Sequence, residues 1–87
     1  MPRLYRESDG AGDSGSMSQA IWKEGDGVKI EDSARPRVGV RMRVGSITAR
    51  SYSHQDWWLT TEITEILEES EKRVRFKTGN SIYVWEV

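Results

Sequence analysis

Residues 73–87, RVRFKTGNSIYVWEV, decide the fold of this chain. Val74 and Phe76 alternate with charged residues, and Gly79-Asn80 separates this run from a second alternating run. Alternation at every second residue is typical of a half-buried strand, and a two-residue loop that begins with glycine favours a type II′ hairpin turn. The stretch therefore predicts a β-hairpin that closes a sheet, and it carries no catalytic motif.

A two-residue loop also fixes how the two strands pair. It sets Phe76 opposite Tyr83 and Val74 opposite Trp85, and directly opposed residues share one face of a sheet. That apolar face is the predicted core face. The opposite, wet face is predicted to carry Arg73, Arg75, Lys77, Ile82, Val84 and Glu86. A shift by one residue would mix apolar and charged side chains, so we expect this register.

A second clear strand is predicted over residues 38–44. Val38, Val40, Met42 and Val44 occur at every second position. Arg41 and Arg43 fall between them and are expected to face the solvent. Gly45 interrupts the alternation and predicts a bulge or a bend.

Residues 57–69, WWLTTEITEILEE, admit two interpretations. A helical stripe is formed by Leu59, Ile63, Ile66 and Leu67. The many β-branched residues favour a strand instead, with a bulge that accommodates Glu65. We predict a strand, and an α+β fold with a helix over residues 58–69 is the alternative.

The first twenty residues lack any apolar periodicity. The run from Ser8 to Ser18 is mostly Gly, Ser and Asp, and such a segment does not bury enough surface to offset its ordering entropy. We predict a disordered leader over residues 1–20 and one small domain over residues 21–87. Early in that domain, a turn at residues 25–27 leads into a short strand with apolar residues at positions 28 and 30.

Composition narrows the functional classes. The chain has 87 residues, of which 36% are hydrophobic and 31% charged, with a net charge of −1; these values are typical of a soluble domain with a modest core. The absence of cysteine excludes disulfides and thiolate metal sites, and we predict no bound cofactor. No segment is long and apolar enough to cross a membrane. We expect a cytoplasmic protein, since small secreted domains often rely on disulfides.

Catalytic signals are weak. His54, the one histidine, lies beside Ser51, Ser53 and Asp56 in a polar loop, but a Ser-His-Asp site needs groups that converge from different parts of a fold. The glutamates of residues 62–71 are best explained as a solvated face. A small enzyme is the least favoured hypothesis.

Two binding hypotheses remain. The first is a non-enzymatic interaction module that binds a protein partner, or a second copy of the chain, through the outer face or edge of the C-terminal hairpin, where Ile82 and Val84 are apolar. The alternative is a module that binds single-stranded nucleic acid through outward cations and an exposed tryptophan. Its candidate residues are Arg41, Arg43, Trp58, Arg75 and Lys77.

One resemblance supports the fold. The segment TGNSIY, residues 78–83, resembles a T-x-N-S-x-Y hairpin of short bacterial and phage-type proteins of unknown function. The order of short strands over residues 21–87 is also similar to that of small SH3-like barrels. The resemblance implies an all-β, SH3-like antiparallel barrel of about five strands, and it implies no activity.

Overall fold

The computed structural model describes residues 2–45 and 57–87, and every regular element in these ranges is a β-strand. The strands are β1 Arg3–Arg6, β2 Gly12–Ser14, β3 Met17–Glu24, β4 Gly27–Asp32, β5 Arg41–Gly45, β6 Trp57–Leu59, β7 Ile63–Glu69, β8 Arg73–Thr78 and β9 Ile82–Glu86. They form two antiparallel sheets with the orders β2-β1-β9-β8-β7 and β4-β3-β5-β6. The all-β class is confirmed, with nine described strands where about five were expected. No helix in the described ranges has the length and apolarity to cross a membrane.

Strands β8 and β9 pair in the predicted register. Phe76 lies opposite Tyr83 and Val74 opposite Trp85, and all four side chains are buried. The rings of Phe76 and Tyr83 stack with their centroids 5.7 Å apart, a distance typical of favourable aromatic pairs. The predicted core face of the hairpin is therefore confirmed.

The turn that joins β8 to β9 differs from the prediction in its type. The amide of Thr78 donates a 2.9 Å hydrogen bond to the carbonyl of Ser81 and closes the two-residue loop. However, Gly79 does not have the left-handed φ that the first loop residue of a type II′ turn requires. Register was predictable because side-chain alternation fixes it, whereas the turn type depends on the local twist of the strands.

The prediction of a disordered leader over residues 1–20 was wrong. Strand β1 pairs with β9, β2 pairs with β1, and β3 begins at Met17, so the domain begins well before residue 21. Leu4 is fully buried. The segment is poor in apolar residues, but it offsets its ordering entropy by hydrogen bonding to the backbone of a sheet edge that the rest of the chain supplies.

The interpretation of residues 57–69 as strand is confirmed, and the helix alternative is wrong. The segment forms β6 in one sheet and β7 in the other. β7 contains register shifts between Ile63 and Glu65 and between Ile66 and Glu68, so the predicted bulge is present. Thr60 directly follows β6 and Ile63 begins β7, and their amides donate to the carbonyls of Met42 and Val40, each at 2.9 Å. These bonds tie the two sheets together at this corner.

The core lies between the sheets. Met42 and Val44 of β5, and Val40 directly before it, are buried as predicted. Val38 is instead 58% exposed, because the strand begins only at Arg41. Two polar bonds cross the core from one sheet to the other: the indole Nε1 of Trp85 donates to Ser18, and that of Trp58 donates to Tyr83. The sequence interpretation of His54 falls outside the described residues.

Candidate interaction surface

The outer face of the C-terminal hairpin is less accessible than predicted. β9 lies between β1 and β8, so the predicted sheet edge at the last strand is wrong. Val84 is 1% exposed, and its direct cross-strand neighbours are Tyr5 and Arg75. Ile82 is half-buried. The strand that the sequence places at the edge is therefore covered by the segment that was expected to be disordered.

Arg75 is engaged in ion pairs on that face. Its Nε and one terminal nitrogen donate to the two carboxylate oxygens of Glu7 at 2.7 and 2.9 Å, and its other terminal nitrogen lies 3.5 Å from Glu68. The hydrogen bonds from Arg75 lower the pKa of the Glu7 carboxyl. The predicted pairing of Arg73 with Glu86 is confirmed, with Nε and Oε2 3.9 Å apart. Lys77 is exposed.

The four predicted cations do not share one sheet. Arg41 and Arg43 lie on β5, whereas Arg75 and Lys77 lie on β8, and these strands belong to different sheets. The nucleic-acid hypothesis assumed that the two strands are neighbours, and this assumption was wrong. In addition, Arg43 donates through Nε to the side-chain oxygen of Gln19 at 2.9 Å.

The adjacent tryptophans point to opposite sides of β6, as alternation requires. Trp58, the predicted surface aromatic, packs against the core cluster and donates to the Tyr83 hydroxyl at 3.3 Å. Trp57 lies on the outer face, with the Arg43 guanidinium 5.6 Å from its ring centroid. The assignment of the outward residue to Trp58 was therefore wrong by one position.

Arginines lie over the aromatic rings throughout the described structure. The pairs are Arg3 on Tyr5, Arg6 on Trp58, Arg35 on Trp85, Arg37 on Trp22 and Arg43 on Trp57, with centroid distances of 4.6 to 5.6 Å. Each contact of this kind contributes about 0.5–1 kcal/mol when exposed. Arg3 and Tyr5 lie two residues apart on β1. In the other four pairs the partners come from different strands or loops, so the sequence gives no signal for them.

The edge strands are the remaining places for contact. Within residues 2–45 and 57–87 there are four of them, and three are protected. Strands β2 and β6 have three residues each. β7 is longer, but it is interrupted by two bulges and lined by exposed glutamates. Short length, bulges and charge are the means by which proteins block unwanted strand pairing.

Strand β4 is the exception. All six of its residues are exposed, and its pairing with β3 runs without a bulge. Val28 and Ile30 are 61% and 52% exposed. On the outer face, Ile30 lies directly beside Ile21 of β3. Among the described residues, the outer edge of β4 pairs with no other strand.

The backbone of β4 is oriented for further pairing. Glu24 and Gly27 flank the two-residue loop and lie opposite each other, so they form a hydrogen-bonded pair. Hydrogen-bonded pairs alternate along an antiparallel ladder, which places Lys29 and Glu31 in bonds to β3. Every second residue, namely Val28, Ile30 and Asp32, therefore directs its amide and carbonyl away from the sheet.

The charged side chains of β4 alternate with its apolar ones. Lys29 forms no ion pair with a described residue, and Glu31 accepts a 2.8 Å bond from Arg37. The Arg37 guanidinium also lies 4.8 Å from the centroid of Trp22. The sequence did predict this short strand, but whether it lies inside the sheet or at its edge is decided by the pairing of the other strands.

Two clefts open on the surface of the described structure. One of about 440 Å³ lies beside Glu7, Lys77 and Ile82, and another of about 360 Å³ lies beside Trp22, Val28 and Arg41. Within residues 2–45 and 57–87, no group of three or more His, Cys, Asp or Glu side chains is placed to hold a metal ion.

Comparisons with models of protein families, with curated proteins and with solved structures find no match to this chain, so the SH3-like resemblance stays a prediction.

Proposed function

We propose that this chain is a non-enzymatic interaction module that binds a protein partner by strand addition at β4. The observation that carries the proposal is the combination of a regular six-residue edge with two aliphatic side chains that are more than half exposed. Strand addition uses main-chain hydrogen bonds for affinity and alternate side chains for selectivity. This places the contact on β4 and moves it away from the C-terminal hairpin.

The charges of β4 set a requirement on the partner strand. A lysine in the middle of an edge strand normally discourages pairing. An added strand with an acidic residue opposite Lys29 and a basic residue opposite Glu31 would turn this penalty into attraction, because directly opposed charges interact across a ladder. The module therefore selects for a partner strand with complementary charges.

Proline at position 30 tests the proposal selectively. The amide of Ile30 points away from β3, so Ile30→Pro removes an outward donor and leaves the β3–β4 hydrogen bonds in place. We expect the immobilised parent chain to retain a protein partner from a cell extract, and the variant to lose it. When that purified partner is added to the labelled parent chain, the amides of Val28, Ile30 and Asp32 should gain protection from hydrogen exchange.

A matched variant on the other sheet controls for general surface effects. Ile82→Thr changes the half-buried aliphatic residue of the C-terminal hairpin and should leave binding unchanged. Binding that survives Ile30→Pro, or that is lost in Ile82→Thr alone, would place the contact elsewhere and overturn the proposal.

A further inference from the structure

A second copy of β4 can supply the charges that the proposed partner strand needs, because an antiparallel pair can set Lys29 of one copy opposite Glu31 of the other. We infer that the partner strand at this edge is β4 of a second copy of the chain, antiparallel and centred on Ile30. This inference rests on the proposed function and names its partner. The net charge of −1 offers little electrostatic resistance to association of two copies.

Backbone geometry limits self-pairing to a few registers. An added antiparallel strand must hydrogen-bond to residues whose amides and carbonyls point outward, which are Val28, Ile30 and Asp32. In a two-fold symmetric pair, the two copies of β4 then cross at one of the residues from 28 to 32. Centring on either end, Val28 or Asp32, pairs at most three residues of each β4, which leaves three central positions. The candidates for the centre are Lys29, Ile30 and Glu31.

Charge decides between these three registers. Centring on Lys29 sets it against the same lysine of the second copy, and centring on Glu31 opposes two glutamates; like charges directly opposite each other are destabilising. Centring on Ile30 sets Lys29 against Glu31 of the second copy, and the symmetry repeats this pair on the other side. Two complementary ion pairs replace one repulsive contact.

The apolar face accommodates this register, which sets Val28 opposite Asp32 and joins the isoleucines at the centre. Ile30 lies directly across from Ile21 within one chain, and the register centred on Ile30 brings the two Ile30 side chains together. The result is a row of four isoleucines across the two joined sheets, in which cross-strand pairs of β-branched residues stabilise the ladder. The half-exposed Ile30 would lose much of its contact with water.

A charge-exchange experiment tests the register. Lys29→Glu alone and Glu31→Lys alone each place like charges opposite one another, and each should weaken self-association by about tenfold or more. Mixing the two variants restores both opposite-charge pairs, so a heterodimer should form. Sedimentation from micromolar to millimolar concentration reports all three cases, and Lys72→Glu, which changes an exposed lysine in the β7–β8 turn, should leave the parent's self-association unchanged.

The outcomes separate this inference from the proposed function. A parent chain that stays monomeric at millimolar concentration overturns the self-pairing, although a different partner that depends on Ile30 would still support strand addition. A homodimer that survives Ile30→Pro places self-association elsewhere and overturns the self-pairing, whereas the proposed function is overturned only when binding of the protein partner survives the same substitution. A homodimer that is lost in Ile30→Pro, combined with no heterodimer from the mixed charge variants, overturns the register and with it the inference. Protection of the Lys29 and Glu31 amides confirms that the proline variant is folded.

Discussion

The indole Nε1 of Trp85 donates a 3.0 Å hydrogen bond to the hydroxyl of Ser18, across 67 positions of the chain. The same hydroxyl donates to the carbonyl of Ala34 at 3.0 Å, and Ser18 and Trp85 are each 4% exposed. One buried serine thus connects the five-stranded sheet, the four-stranded sheet and the loop that follows β4. Buried polar groups whose hydrogen bonds are satisfied within the protein fix the relative position of the elements that carry them.

Removal of that hydroxyl should be costly. Ser18→Ala leaves the Trp85 indole N–H without its acceptor and the Ala34 carbonyl without this donor, and we expect a loss of about 1–3 kcal/mol in the free energy of unfolding. Urea denaturation followed by tryptophan fluorescence measures it. Ser16→Ala, at an exposed position two residues away, is the control and should change stability by less than about 0.5 kcal/mol. Equal effects of the two variants would contradict the connecting role of Ser18.

Leu4 distinguishes a folded N-terminal strand from a disordered leader. Its side chain is fully buried in the core cluster, so Leu4→Ala should reduce stability by about 2–5 kcal/mol. Val38→Ala removes an aliphatic side chain of similar size that is 58% exposed and should have little effect. If both variants unfold at the parent's urea midpoint, residues 3–6 do not belong to the core.

Gly12 lies where β2 runs close to the backbone of β1. A Cβ added there would sit 1.9 Å from the backbone oxygen of Leu4, whereas nothing lies within 4 Å of one added at Gly79. Gly12→Ala should therefore detach β2, and the amides of the β1–β2 ladder should lose hydrogen-exchange protection. Gly79→Ala should leave that ladder intact and raise stability slightly, because alanine restricts the unfolded chain. Retained β1–β2 protection in Gly12→Ala would contradict the close approach.

Acid should weaken the turn between β1 and β2. Hydrogen bonds from Arg6, at 3.0 and 2.6 Å, lower the pKa of the Asp9 carboxyl from 3.8 to about 2. A carboxyl whose pKa is lower in the folded state contributes stability above its unfolded pKa and loses it as the pH falls through the folded one. The contribution of Asp9 to the free energy of unfolding should therefore be complete above about pH 4 and disappear towards pH 2. Because the pKa of the Glu7 carboxyl is also lowered, protonation of Glu7 at low pH should reduce stability as well.

Two variants isolate this titration. Asp9→Asn should make the free energy of unfolding depend less steeply on pH between about 4 and 2. Arg6→Gln should raise the pKa of Asp9 towards its usual value, as measured by NMR titration of the carboxyl carbon. A titration of Asp9 in the parent chain at its ordinary value would contradict the role of the ion pair.

Local patterns in the sequence were sufficient for some of the fold. The alternation around Phe76 and Tyr83 predicts both strands of the hairpin and their register, because a one-residue slip would expose the aromatic side chains. The β-branched residues of the segment after Trp57 predict strand over helix, and Glu65 marks the place of a bulge. The pairing of Arg73 with Glu86 follows from the same register.

The candidate site was not predictable in the same way. Val84 and Ile30 look alike in sequence, since each is an aliphatic residue in a short strand of alternating pattern. Strand β1 covers one side of β9 in the five-stranded sheet, whereas β4 is the terminal strand of the four-stranded sheet. The burial of Val84 and the exposure of Ile30 follow from that order of strands.

The sequence by itself determined that the segment after Trp57 and both arms of the C-terminal hairpin are strands, which side chains of that hairpin face the core, and that no cysteine chemistry is present. Tertiary structure alone decided that residues 3–6 join the sheet, that Trp57 and not Trp58 faces outward, and that β4 lies at an edge of the described four-stranded sheet. The physical reason is the range of the interactions: side-chain alternation and turn residues act between near neighbours. The position of a strand within a sheet, by contrast, depends on backbone hydrogen bonds between distant segments that carry no side-chain signature.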